Sequence, residues 1–177
     1  MIKDILNLLI FKPESIEYYQ KYSLKTSIGA AIFISVLYGF LLPYPIEISF
    51  IANFSMMLMM VPVMLIITWF LSKLLKLKHK NTSFQALFAL SILAGIIDLM
   101  LIPLTFLAQF YEFFNYLQLA IFLYSLLIFF FAFAKANGVG LGFSLLSMLL
   151  GAIVLIILMT TIGIAFIAIG LMPEPLV

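Results

Sequence analysis

The sequence contains no cysteine and no arginine, a single histidine, and only seven acidic residues among 177. Without cysteine, disulfides, thiolate metal sites and thiol nucleophiles are excluded. Without arginine the chain lacks the side chain best suited to bidentate recognition of phosphates and base edges, so no nucleic-acid partner is expected. One histidine and seven scattered acids assemble no Ser–His–Asp arrangement, no His–Glu zinc motif and no carboxylate pair. That argues against an enzyme, a bound metal or a cofactor. Charge is scarce altogether. Only 9% of residues are charged while 66% are apolar, and the mean hydropathy is +1.30. A soluble domain of this length could not cover such a core with so little polar surface.

What is present is a set of long apolar runs, each close to the ~20 residues that cross hydrocarbon as a helix. They fall at about residues 26–42, 48–71, 84–108, 117–134 and 143–171. Runs this long and continuous are not the short alternating strands of a membrane barrel. The expected fold is an all-α integral membrane bundle of five transmembrane helices (residues 26–177), preceded by an amphipathic N-terminal segment (residues 1–25). In that segment Ile2, Ile5, Leu6 and Leu9 share one helical face, away from Lys3, Asp4 and Asn7. Such a short helix is expected to lie in the membrane interface. Pro13 is placed in the first turn of a second helix, with Glu14 and Glu17 near its positive end. Tyr18, Tyr19 and Tyr22, mixed with Lys21 and Lys25, read as a headgroup-level belt. The segment is a poor secretory signal, because Asp4 lies in a short apolar run and Lys12-Pro13-Glu14 follows it.

The stretch Ser72 to Ser83, SKLLKLKHKNTS, carries four of the nine lysines (Lys73, Lys76, Lys78, Lys80) and the lone His79. It reads as a basic loop between the second and third spans, held on the cytoplasmic side. Four further lysines precede Thr26, and Lys135 lies in the fourth loop. The remaining connections and the tail hold no lysine, and they carry Glu47, Glu112 and Glu174. The alternation predicts a cytoplasmic N-terminus and a C-terminus on the opposite side. The four clustered lysines are also positioned for contact with anionic lipid headgroups of that leaflet. His79, with no carboxylate beside it, is expected to be solvated rather than bound to metal.

Asp98 is the sharpest single feature. It lies near the middle of the third span, where insertion of an ionisable group costs about 2.5–3.5 kcal/mol. Two roles fit: a proton or cation site, with Pro103 opening the helix backbone nearby, or a carboxyl that joins helices by hydrogen bonding. Asn53, Thr68, Tyr124, Ser125, Thr160 and Thr161 are its candidate partners. Pro62 and Pro103 interrupt their helices and are expected to kink them. Ser27 with Ala31, Ser91 with Gly95, and Ser147 with Gly151 form small-residue pairs at helical spacing, which suit packing inside the bundle or between copies of the chain. The glycine-rich Asn137-Gly138-Val139-Gly140-Leu141-Gly142 lacks the Lys-Ser/Thr of a phosphate loop and reads as a turn.

Three stretches together resemble the Yip family of multi-spanning membrane proteins: ILNLLIFKPESIEYYQ, IITWFLSKLLKLKHKNTSFQALFALSILAGIIDLMLIPL and FAFAKANGVGLGFSLLSMLLGAI. The order of features is similar to that of short prokaryotic members, and the likeness is one of layout over most of the chain. The resemblance implies five spans, a cytoplasmic N-terminus, and work as a non-enzymatic scaffold or adaptor of membrane organisation or trafficking type. Other membrane proteins or further copies of the chain are then its partners, within the lipid bilayer. The alternative drawn from the residues alone is a small transporter or channel subunit that uses Asp98.

Overall fold

Apolar runs bounded by serine caps make the helices of this protein. The computed structural model describes residues 1–42, 48–78 and 82–172. Ser23 and Ser49 each accept a hydrogen bond from the backbone three residues on, at 3.0 Å from Thr26 N–H and 3.2 Å from Ala52 N–H. These caps satisfy otherwise unpaired amides and start α2 (Leu24–Leu41) and α3 (Phe50–Leu77). A short α1 (Ile2–Leu9) comes first, followed by a 3₁₀ turn at Ile16–Lys21. The third span is built in pieces: α4 (Phe84–Ala94), a 3₁₀ segment (Gly95–Met100) and α5 (Leu101–Ala108). Helices α6 (Phe113–Ala136) and α7 (Leu141–Ala168) complete the chain. Five spans are therefore long and apolar enough to cross a membrane, and the fold is an all-α membrane bundle.

Burial identifies the axis of the bundle. In the third span 56% of the most apolar window is buried, against 11–28% in the other four. Residues Ala86 to Ala94 are buried without interruption. Helix α4 contacts α2, α3 and α6 together with α1 and the first 3₁₀ turn. The small-residue pairs face inward: Ser27, Ala31, Ser91, Ser147 and Gly151 are buried and Gly95 is half-buried. Gly151 lies where an added Cβ would touch Leu71 of α3 at 3.6 Å.

Helix ends depart from the sequence reading in an instructive way. Helix α3 continues to Leu77, so Ser72 to Leu77 of the expected basic loop is helical. Leu71 and Leu75, one turn apart, are both at most 2% exposed and hold that last turn onto the core. It also continues through Pro62 as one helix. Helix α6 starts four residues earlier than expected, and α7 ends at Ala168. Pro13 lies before the 3₁₀ turn rather than in its first turn.

Three helix ends close with the same pair of bonds. At α6, Val139 N–H reaches Ala134 C=O and Gly138 N–H reaches Lys135 C=O, with Gly138 at φ 58°. At α7, Gly170 (φ 73°) plays the same part. At α1 the left-handed position is held by Phe11 (φ 56°), where a side chain is disfavoured. Its ring offsets that cost by edge-on contacts with Tyr124 at 5.6 Å and Phe131 at 5.3 Å.

Candidate functional site

The site forms where the third span stops being an α-helix. Pro103 has no N–H to give Leu99 C=O, and Gly95 is a weak helix former, so the residues between them tighten into a 3₁₀ segment. That segment carries Asp98 in the middle of the bundle. Ser125 of α6 lines the same cavity wall as its carboxyl. Its Oδ1 is buried and has no hydrogen-bond partner among the described residues.

Two cavities meet at this carboxyl. The larger, about 440 Å³, lies between α2, α3 and α4 and extends to Leu42 at the end away from the lysine cluster. Ser35, Tyr38, Met57, Met60, Met64 and Ser91 line it. The smaller, about 220 Å³, adds Thr68, Leu71, Ser125 and Phe129, towards the lysine-rich end. Met64, Ile67, Ser91, Gly95 and Asp98 belong to both. Next to the smaller cavity lies a buried cluster that includes Leu71, Leu75, Leu87, Leu90 and Phe133.

The expected site residues separate. Asp98 and two of its candidate partners, Ser125 and Thr68, come together. Asn53 does not: its Nδ2 donates to Gly39 C=O at 3.3 Å and fastens α2 to α3. Pro103 is exposed on the outer surface, so it shapes the segment without lining the cavity. Tyr124 donates to Leu9 C=O, while Thr160 and Thr161 are exposed. Tyr38 and Ser35 were not foreseen, and Ser91 was expected only in a packing pair with Gly95. Each is an isolated polar residue in an apolar run, which is the signal that singled out Asp98.

A second polar cluster was missed at the lysine-rich end. Asp4 is only 2% exposed. Its carboxylate accepts from Tyr18 (2.9 Å) and Tyr22 and pairs with Lys21 at 2.8 Å. Burial pushes the Asp4 carboxyl up, but the bonds from Lys21, Tyr22 and Tyr18 outweigh it and hold the group well below the usual carboxylate range. Burial, with the Asp4 charge beside it, raises Tyr22 to about 12. The tyrosines thus do not form a simple headgroup belt. Tyr19 is fully buried in the core, and its burial raises it to about 12. The short helix α1 also turns a different face to the protein. Asp4 and Leu8 face in, while Ile2 and Leu6 are exposed.

Hydrogen bonds seat this N-terminal cap on the bundle. Gln85 Nε2 donates to Gln20 C=O at 3.0 Å and Tyr22 C=O at 2.9 Å, and Lys135 Nζ donates to Phe11 C=O at 2.8 Å. Lys73, Lys76 and Lys78 are exposed at the same end, with Lys73 Nζ 5.3 Å above the Trp69 ring. Lys80 and His79 lie outside the described residues. Among the described residues no three His, Asp or Glu side chains converge as metal ligands. Comparison of the chain with protein-family models, with curated proteins and with solved structures finds no match.

Proposed function

We propose that this protein is a non-enzymatic carrier or channel subunit that uses Asp98 as a proton or cation site. One observation carries the reading: a carboxyl oxygen without a hydrogen-bond partner among the described residues, buried on the wall shared by two cavities midway along the third span. An ionisable group there is costly, and most buried polar atoms that serve packing alone are paired. The test is ion and proton flux in liposomes holding the purified protein, wild type beside Asp98→Asn. Flux in the wild type that falls at least tenfold in the variant is the expected result. If neither protein conducts and Asp98→Asn only lowers thermal stability, the carboxyl is a packing group and the reading is wrong.

A scaffold or adaptor of Yip-family layout is the second reading, and a different observation favours it. Described parts of all three stretches that carry the resemblance lie at one end of the bundle, where the cap rests on α4 and α6 and the lysines are exposed. That end suits a docking face for other membrane proteins, with Lys73, Lys76 and Lys78 against anionic headgroups. An adaptor co-purifies with partners and shows no flux by itself. Both readings place the lysine-rich end in the cytoplasm. The absence of cysteine makes this simple to check: Lys76→Cys is expected to react with an impermeant maleimide in inside-out vesicles and not in intact cells. Reaction in intact cells would reverse the orientation.

A further inference from the structure

We infer that the cavity at Asp98 binds an organic monocation with an apolar body, and that a proton and this cation compete for the carboxyl. The inference rests on the proposed role of Asp98 and names the class of cation. A hydrated metal ion is poorly served here. Calcium or magnesium needs about six oxygen ligands, whereas the larger cavity offers one carboxyl among a few hydroxyls. One of those hydroxyls, on Ser91, is already donated to Leu87 C=O at 2.9 Å. The rest of the wall is apolar. Met57, Met60 and Met64 supply flexible, polarisable surface that adapts to ligands of different shape. Tyr38 adds an aromatic face for a cationic group. At about 440 Å³ the space falls within the range of small-molecule sites. A mostly apolar chamber with one negative charge is complementary to a mostly apolar ligand with one positive charge.

The competition follows from the count of charges. Among the described residues Tyr38 of α2 is the only other titratable group lining either cavity. Helices α3, α4, α5, α6 and α7 present none there among those residues. No lysine at this depth can therefore neutralise the carboxylate in place of the ligand. When the cation binds, the carboxylate is ionised. When a proton settles on the carboxyl, the site is neutral and the cation leaves. No covalent bond to carbon changes, and one positive charge replaces another.

The experiment is equilibrium binding of radiolabelled tetraphenylphosphonium to the purified full-length protein in detergent, across pH, with Asp98→Asn and Asp98→Glu alongside. The wild type is expected to bind more tightly as pH rises. On the acid side its dissociation constant should increase about tenfold per pH unit. Asp98→Asn should lose at least tenfold in affinity with an unchanged elution profile, and Asp98→Glu should keep pH-dependent binding. Absence of binding by the wild type at high pH overturns the inference, as does equal binding by Asp98→Asn. The two proposals fail separately. Asp98-dependent flux of protons or sodium without phosphonium binding removes the organic cation and leaves the carboxyl's role intact. Loss of both removes the site.

Discussion

Gly39→Leu is expected to abolish recovery of folded protein from membranes. Gly39 lies at the crossing of α2 and α3, where a Cβ would stand 2.7 Å from Phe54 Cδ2 and 3.4 Å from Phe54 Cα. The Phe54 ring is flanked by two others. It packs edge-on to Phe40 at 5.0 Å and stacks on Phe50 at 5.9 Å. Parting the helices would also stretch the Asn53 bond to Gly39 C=O, which is already 3.3 Å long. Overpacking of this kind costs about 1–3 kcal/mol for one or two carbons and more for a larger side chain. Gly39→Ala should therefore lower thermal stability measurably while still folding. Gly29→Ala is the control on the same helix, since an added Cβ there meets nothing within 4 Å. It should be neutral or stabilising by up to about 1 kcal/mol, from helix propensity alone. Equal behaviour of the two alanine variants in a thermal-shift assay would remove the close-approach argument.

Asp4→Ala is expected to release the N-terminal cap without unfolding the spans. The substitution leaves the hydroxyls of Tyr18 and Tyr22 without their acceptor and Lys21 without its counter-charge. Limited trypsinolysis should then cut after Lys21 at least tenfold faster than in the wild type, with cleavage after Lys73 unchanged. Asp4→Asn, which keeps an acceptor but no charge, should fall between. The pH dependence of the wild type has a definite sign. The Asp4 carboxyl is depressed in the folded state, so its stabilisation is present above the ordinary value of 3.8 and fades only well into acid. Tyr22 is raised from 10.0 to about 12, so its contribution is present below pH 10 and is lost as pH climbs towards 12. Protection of the cap should thus be level from pH 5 to pH 9 and fail at the alkaline end. Release between pH 5 and pH 7 would contradict the cage around Asp4.

Periodicity and hydropathy reveal helices and their ends, and here they placed five spans with errors of a few residues. They do not reveal which helix faces which. Asp98 stood out because an acid in the middle of an apolar run has no local excuse. Its environment did not, because Tyr38 and Ser125 lie 60 and 27 positions away along the chain. The fate of Asn53 was equally hidden, since its acceptor is a backbone carbonyl on another helix. Asp4 offered the same signal as Asp98 in miniature, a lone acid within an apolar helix. It was read as the polar side of an interfacial helix because the tyrosines that hold it, 14 and 18 residues later, fitted an aromatic belt by composition. The basic stretch looked like a loop because lysines dominate it, yet Leu71 and Leu75 continued the helical spacing through its first half.

The seating of the cap also constrains the order in which the protein is assembled. Residues 1–22 are synthesised before every helix that supports them. The carbonyls of Gln20, Leu9 and Phe11 wait for donors 65, 115 and 124 residues later, on α4 and α6. Until the third span has been inserted, the inward side of α1 has only lipid or a chaperone to rest against, and its contacts with α6 wait for the fourth. The cap consequently reaches its final place only when the fourth span is present, long after its own synthesis.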